Sequence, residues 1–422
     1  MAKKKEKMRI GIDCRTMLSP SRGEKAGIGH YNYYLVKNLM KIDKKNEYVL
    51  FFDWRVQDTR EFKQKNVKIK YFPFSQYKKF LPFTYSHILI AAQLYKEGLD
   101  ILHNPANVIP LSYRRPTIVT VHDLAIYKES KWFPSGQKFS TRFLVPKSIK
   151  KADHIIAVSK ATKKDIKKLF KIKNSKISVI HENAMTKKVS TSSRKKSALK
   201  RFKIKNDYIL FVGTLEPRKN LLRLIEAYND LIKNNKKFAQ YDLVMAGMRG
   251  WKSKNIFRLI NKLKLKNKVK FLEYIPHNYK IDLMKKATCF VFPSFYEGFG
   301  LPVLEAMTLG CPVITSKNSS LPEVCGEAAE YIDPSRSENI TRALKKVLGS
   351  KKLRNSMKKK GLKQAKKFSW RKMAEETLAV YEKVYNKTDK EKKKKKSSKN
   401  KSSKKSKKKD KKKSSKKRKK KK

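Results

Sequence analysis

The sequence predicts an α/β protein built of two doubly wound domains that face a central cleft, with a disordered basic tail at the C-terminus. Three observations predict it. Short apolar runs rich in β-branched and aromatic residues alternate with helical patterns along the first 386 residues, the pattern of parallel sheets. The chain has 422 residues, which is long for one domain. From Lys387 onward it is nearly all Lys and Ser and ends SSKKRKKKK, with almost nothing apolar to bury.

The elements follow in order. MRIGIDC (8–14) reads as a strand, followed by a loop with Gly23, Gly27 and Gly29 and then the helical pattern HYNYYLVKNLMKI. Further strands read at 47–52, 100–105 and 117–127. HIIAVS (154–159) is another and leads into the helix KATKKDIKKLF, and 176–183 closes this half. The polar segment around 185–205 lacks a strand and reads as a linker with a short helix. The second half opens with YILFVGT (208–214), then LEPRKN, then the helix LLRLIEAYNDLIKN. Strands at 241–247 and 268–275 come next, and the amphipathic pattern FSWRKMAEETLAVYEKVY (368–385) is the last strong helix.

The stretch 287–316 is the most informative. ATCFVFPS and CPVITS read as buried strands on either side of FYEGFGLPVLEAMTLG. Gly298 and Gly300 allow a tight, open loop. Pro302 suits the first turn of a helix, and Gly310 stops that helix. Such a loop leaves backbone N–H groups at a helix N-terminus, a ready site for phosphate. Glu297 stands on the strand side of it and Glu305 about one helical turn inside. Carboxylates so placed accept hydrogen bonds from hydroxyls, as on sugars. The local pattern fits equally well a Glu305 that only complements the helix dipole and a solvated Glu297.

Composition narrows the function. The net charge is +71, of which the tail carries roughly +20. The rest is spread as lysines over the folded part, often on helix faces such as ATKKDIKKLFKIKNSK. Such a surface suits anionic lipid, nonspecific nucleic-acid binding, or a compositional bias toward lysine without function. Arg is scarce beside Lys, and base-reading sites favour Arg, so nucleic acid ranks last. Cys14, Cys289, Cys311 and Cys325 show no C-x-x-C spacing and read as reduced core residues of a reducing compartment. No Cys/His metal cluster, secretory signal or spanning segment is read. The expected location is cytoplasmic, with peripheral membrane contact left open.

At this point the residues carry a resemblance. VGTLEPRKN (212–220) together with EGFGLPVLEA (297–306) resembles the retaining nucleotide-sugar glycosyltransferases of family 4, whose two Rossmann-like domains form the GT-B fold. Glu297 and Glu305 match the E-x7-E motif of that family. MRIGID, the Gly27–Ile28–Gly29 loop, VHDL (121–124), AVSKATKKDI and FSWRKMAEETLAVY are also similar. The mannosyltransferase-B-like branch is the most similar. The likeness implies a hexosyltransferase that moves a hexose, with mannose from GDP-mannose expected, to a glycan or lipid-linked acceptor. The nucleotide-sugar is then a substrate, and no cofactor is expected. The implied domains are a basic extension 1–7, an acceptor domain 8–200, a nucleotide-sugar domain 206–367, a C-terminal helix 368–386 that crosses back, and the tail 387–422.

The resemblance also assigns residues. Glu297, His122, Arg218 and Lys219 become the catalytic set. The amides of Gly27 and Gly29 approach the diphosphate, as do Arg218 and Lys219. Glu297, Gly298, Phe299, Gly300, Leu301 and Glu305 line the donor. Many relatives carry Arg where Thr214 stands here, which leaves the phosphate charge to Arg218 and Lys219. A planar fork and a point charge in a dry cleft stabilise a departing diphosphate more than the bound ground state. No D-x-D lies in a suitable loop, so no metal is expected. From the residues alone, Arg218–Lys219 reads as a solvated turn set by Pro217, and His122 as a structural strand-end histidine. His103 and Asn104 are weaker candidates of the same kind, and Glu323 reads as a first-turn charge. The rival reading is a noncatalytic basic protein that uses the fold as scaffold and the tail to bind nucleic acid or acidic polymers.

Overall fold

The computed structural model describes residues 7–17, 27–56, 58–72, 88–184, 197–391 and 393. Gly23, the extension 1–6, the linker stretch 185–196 and the tail beyond 393 lie outside the described residues. One sheet contains β1 (Arg9–Asp13), β2 (Glu47–Asp53), β3 (Val67–Phe72), β4 (Ile101–Asn104), β5 (Thr117–Val121), β6 (His154–Ala157) and β7 (Ile177–Val179). The other contains β8 (Tyr208–Val212), β9 (Asp242–Ala246), β10 (Val269–Leu272), β11 (Cys289–Phe292), β12 (Val313–Ser316) and β13 (Ala329–Ile332). Their orders are β3-β2-β1-β4-β5-β6-β7 and β10-β9-β8-β11-β12-β13. Every strand pairing is parallel.

Helices cover both faces, so the central strands are buried along their whole length rather than alternating between buried and exposed positions. β4, β5, β6, β9, β11 and β12 are buried at every position. In each sheet the strand order reverses beside the first strand, between β1 and β4 and between β8 and β11. Ligands of such sheets bind outside the strand C-termini at that reversal.

Several expectations are corrected. The run 117–127 is not one strand. It ends at Val121, the backbone N–H of Ala125 turns back onto Asp123 Oδ1 at 3.2 Å, and Ala125–Lys128 is helical. The edge strands β3 and β13 carry no apolar run of the usual length. In β3 the lysines alternate outward, and Lys68 and Lys70 reach Glu97 at 3.0 and 3.2 Å. The helix Ser135–Lys151 holds Pro146 in its interior, which hides its pattern. The tail does not begin at 387 as an unfolded segment. The last helix runs over 370–391, carried on by Thr388 Oγ1 donating to the Val384 carbonyl at 2.9 Å and by the Asp389–Lys393 pair at 2.5 Å.

This last helix packs on the first half. Met373, Ala374, Val380, Tyr381 and Val384 share a core with Ile10, Ile12, Leu35 and Tyr48. Trp370 stacks on Tyr34 at 4.6 Å, and its ring N–H donates to the Ala184 carbonyl at 3.1 Å. Conversely, Ala198 and Ile204 belong to the core of the second half, where the Ala198 N–H donates to Asp282 Oδ2 at 2.8 Å. All four cysteines are buried free thiols. Among the described residues no helix is long and apolar enough to cross a membrane.

Candidate active site

The two halves meet at the C-terminal ends of their sheets. β8 leads to Glu216 and the single turn Pro217–Lys219, and β11 leads to Glu297. These chains cross, and Phe295 N–H donates to the Arg218 carbonyl at 2.9 Å. The side chains then converge. Lys219 Nζ lies 2.6 Å from Glu297 Oε1, and Arg218 Nη1 lies 2.8 Å from Oε2. Arg218 also donates to the Tyr296 carbonyl at 2.7 Å and pairs with Glu216 at 2.7 Å. Glu297 is 7% exposed and Lys219 8%, so neither is a solvated turn residue.

Burial by itself raises a carboxyl pKa. Here the charges of Arg218 and Lys219 outweigh it and hold Glu297 down at about 2. Arg218 is pushed up, because Glu297 and Glu216 outweigh the burial that opposes its charge. Lys219 is pushed down by burial and by its Arg218 neighbour. The cluster contains two cations and two carboxylates. Arg218 and Lys219 are therefore already paired before a diphosphate arrives, although Arg218 Nε is buried with no hydrogen-bond partner among the described residues.

Glu305 is held elsewhere. It lies in the helix Leu301–Thr308 at 4% exposure, with Lys280 Nζ 2.7 and 2.9 Å from its two oxygens. Burial raises its pKa more than Lys280 lowers it. The two motif glutamates thus answer to different cations. Between them Gly300 caps the helix at φ +113°, and Pro302 sits in its first turn. Phe299 is buried and meets the Phe368 ring edge-on at 5.7 Å. The Glu297 N–H is taken by Ser319 Oγ at 3.0 Å.

The loop presses on the first half at Gly298. A Cβ there would stand 1.8 Å from the His122 carbonyl oxygen. The Gly298 carbonyl accepts from Ser159 Oγ at 2.6 Å and Thr162 Oγ1 at 3.1 Å. His122 follows β5 directly, and its ring meets Tyr31 edge-on at 4.8 Å. Tyr31 belongs to the first turn of the helix Ile28–Ile42, which Gly27 starts at φ +43° and in which Gly29 is buried. The structure thus links His122, Gly298 and the Gly27–Gly29 turn around one junction.

His103 and Asn104 are supports. His103 Nδ1 contacts Tyr381 Oη at 2.7 Å and Nε2 contacts Thr120 Oγ1 at 2.8 Å. Burial, with the His122 charge, holds its pKa at about 3. Asn104 donates to Asp13 Oδ2 at 2.8 Å. Glu323 does open a helix, Leu321–Cys325, but it also reaches the other half. It accepts from the Lys160 N–H at 2.9 Å and lies 2.6 Å from His181 Nε2. Glu182, Glu216 and Lys280 were not singled out by sequence. Glu182 and Glu216 follow strand ends, which is the one signal that could have found them.

Two family models divide the chain. "Glycosyl transferases group 1" matches residues 192–364 and "Glycosyltransferase Family 4" matches 26–182. The O-antigen chain mannosyltransferase B of Escherichia coli is 32% identical over 290 residues, 67% of this chain and 74% of that protein. This chain is a family 4 glycosyltransferase. The transferase is also 32% identical over 269 residues to the O-antigen chain mannosyltransferase RfbU of Salmonella typhimurium, covering 63% of the chain and 70% of the relative. Among solved structures, the sucrose-phosphate synthase of Thermosynechococcus elongatus matches 90% of the transferase and 100% of itself, with TM-score 0.71 at 19% identity. HepE of Anabaena in complex with UDP and glucose gives TM-score 0.65 at 18% identity over 89% of the transferase and 99% of itself. These two likenesses confirm the GT-B fold.

Proposed function

We propose that this transferase moves mannose from GDP-mannose to a glycan or lipid-linked acceptor, with retention of configuration. The observation that carries the reading is the buried Glu297 clamped by Arg218 and Lys219 at the reversal of the second sheet, against the first half at His122. As the diphosphate departs, charge grows on its oxygens. Arg218 and Lys219 exchange part of their pairing with Glu297 and Glu216 for those oxygens, in a site closed to water. Glu305 accepts from the ribose hydroxyls and Glu297 from the transferred sugar. Same-face attack lets the departing phosphate take the acceptor's proton, so the protein needs no nucleophile. The choice of mannose is supported by the O-antigen mannosyltransferases among the relatives. They also weigh against a noncatalytic basic protein. Hydrolysis of a panel of nucleotide-sugars tests the donor. GDP-mannose is expected to turn over fastest, and preference for a UDP-hexose overturns the choice.

Three expected outcomes follow from the site and the charge. Glu305→Ala raises the donor KM about tenfold or more while kcat changes little, since it removes hydrogen bonds made alike in ground and transition states. An unchanged KM removes Glu305 from the donor site. Activity persists in EDTA, because Arg218 and Lys219 supply the cations at the diphosphate. Strict dependence on added manganese or magnesium would point to another mechanism. The full chain co-sediments with vesicles of anionic lipid at low salt, and a chain ending at Lys393 does so less, because lysines near an anionic leaflet contribute about 1 kcal/mol each. Equal binding by the two forms across a salt titration leaves compositional bias as the account of the tail.

A further inference from the structure

We infer that Glu182 is a positioning residue that fixes His122 as an imidazolium at the junction of the two halves. This deepens the reading of His122 as a donor-side residue and rests on it. The geometry is specific. His122 Nδ1 lies 2.9 Å from Glu182 Oε1, and Nε2 lies 2.8 Å from the Pro105 carbonyl oxygen. A carbonyl oxygen only accepts, so Nε2 carries a hydrogen. An ionised carboxylate only accepts, so Nδ1 carries one too, and a ring with two N–H groups is a cation.

The surroundings keep the ring in that state. Its side chain is 11% exposed and that of Glu182 4%. The His122 backbone N–H is fixed by Asn107 Oδ1 at 2.9 Å. From the helix Ile28–Ile42 the Tyr31 ring meets it, with a phenol that burial keeps protonated. From β4 comes His103, neutral for the reason given above. Asp123, the next residue, adds a second negative charge, which also acts on Arg218. From the second half the Gly298 backbone presses on the His122 carbonyl. Burial disfavours the cation, but the hydrogen bond and charge of Glu182, with the Pro105 carbonyl and Asp123, outweigh it and raise the His122 pKa.

The chemical consequence is a division of labour. An imidazolium held in this way brings charge but has no lone pair, and both its N–H groups are taken, so His122 cannot remove the acceptor's proton. That proton must leave by another group, as same-face attack requires. Glu182 follows β7 and is distant in sequence from every motif residue, so its part is to set the state of the ring.

Imidazole ¹⁵N spectra of the full-length protein test this without any substrate. His122→Asn assigns the signal among the 7 histidines. The wild-type ring is expected to show two protonated nitrogens at about pH 7.5, above the ordinary histidine pKa. In Glu182→Gln it becomes neutral at that pH, and Glu182→Asp restores the cation. A wild-type ring with one bare nitrogen overturns the proposal, as does a Glu182→Gln ring that stays cationic. With GDP-mannose as donor, Glu182→Gln is expected to lose about tenfold to a hundredfold in kcat at that pH and to recover toward acid pH as the ring regains its proton. A pH-independent loss in Glu182→Gln overturns the positioning role. If GDP-mannose is not turned over at all, the donor reading fails while the spectra still decide the state of His122.

Discussion

Glu297→Ala is expected to lower kcat at saturating donor by about a hundredfold to a thousandfold, the usual effect of disturbing the groups that meet developing charge, here the Arg218 and Lys219 that Glu297 holds. The donor is whichever nucleotide-sugar the panel selects. The change also leaves Lys219 buried without its carboxylate and Arg218 with Glu216 alone, and breaking such a buried pair costs about 3–5 kcal/mol. Glu297→Gln keeps the volume and separates the two effects. The sign of the pH dependence follows from the depressed pKa. Glu297 stabilises the fold above the ordinary carboxyl range, and that contribution is lost as pH falls toward about 2. Urea midpoints across acid pH should therefore fall less steeply in Glu297→Gln than in wild type. Near-normal kcat in both variants would remove Glu297 from the site.

Gly298→Ala is the second large effect. The new methyl would sit 1.8 Å from the His122 carbonyl oxygen and 2.8 Å from Asp123 Cβ. The first clash is with backbone, so no rotamer relieves it. Either the 297–301 loop or the whole junction must move, which weakens the bonds from Ser159 and Thr162 to the Gly298 carbonyl. A displacement of about 1 Å at reacting groups costs about a hundredfold in rate. The clash lies between the halves and outside their cores, so far-UV circular dichroism should stay unchanged while kcat falls. Full activity in this variant would show that the two halves do not press together at Gly298 during turnover.

The sequence made some layers of this protein plain and hid others. β8 and β11 are buried on both faces, so their composition alone declares them. Arg218, Lys219 and Glu297 were legible because two motifs, at 212–220 and 297–306, carry them on neighbouring strand ends. What holds them was not. Glu216 and Lys280 look like ordinary surface charges until the fold buries them beside Arg218 and Glu305. His103 looked like a site because it ends a strand, but whether a strand-end histidine is free or packed depends on what lands on it. Here that is Tyr381, 278 residues later. The edge strand β3 was hidden by the solvent-facing lysines that protect an edge.

The return of Tyr381 to His103 also sets an order of events at the ribosome. The sheet β1–β7 is encoded within the first 179 residues, yet part of its core, Met373 to Val384, is translated only after the whole second half. At about 5–20 residues per second, roughly 10–40 seconds separate the two. Through that interval the apolar face that will receive the last helix has no permanent cover, while the second half can already complete its own sheet. Apolar surface left uncovered in this way is the kind that chaperones shield on a nascent chain.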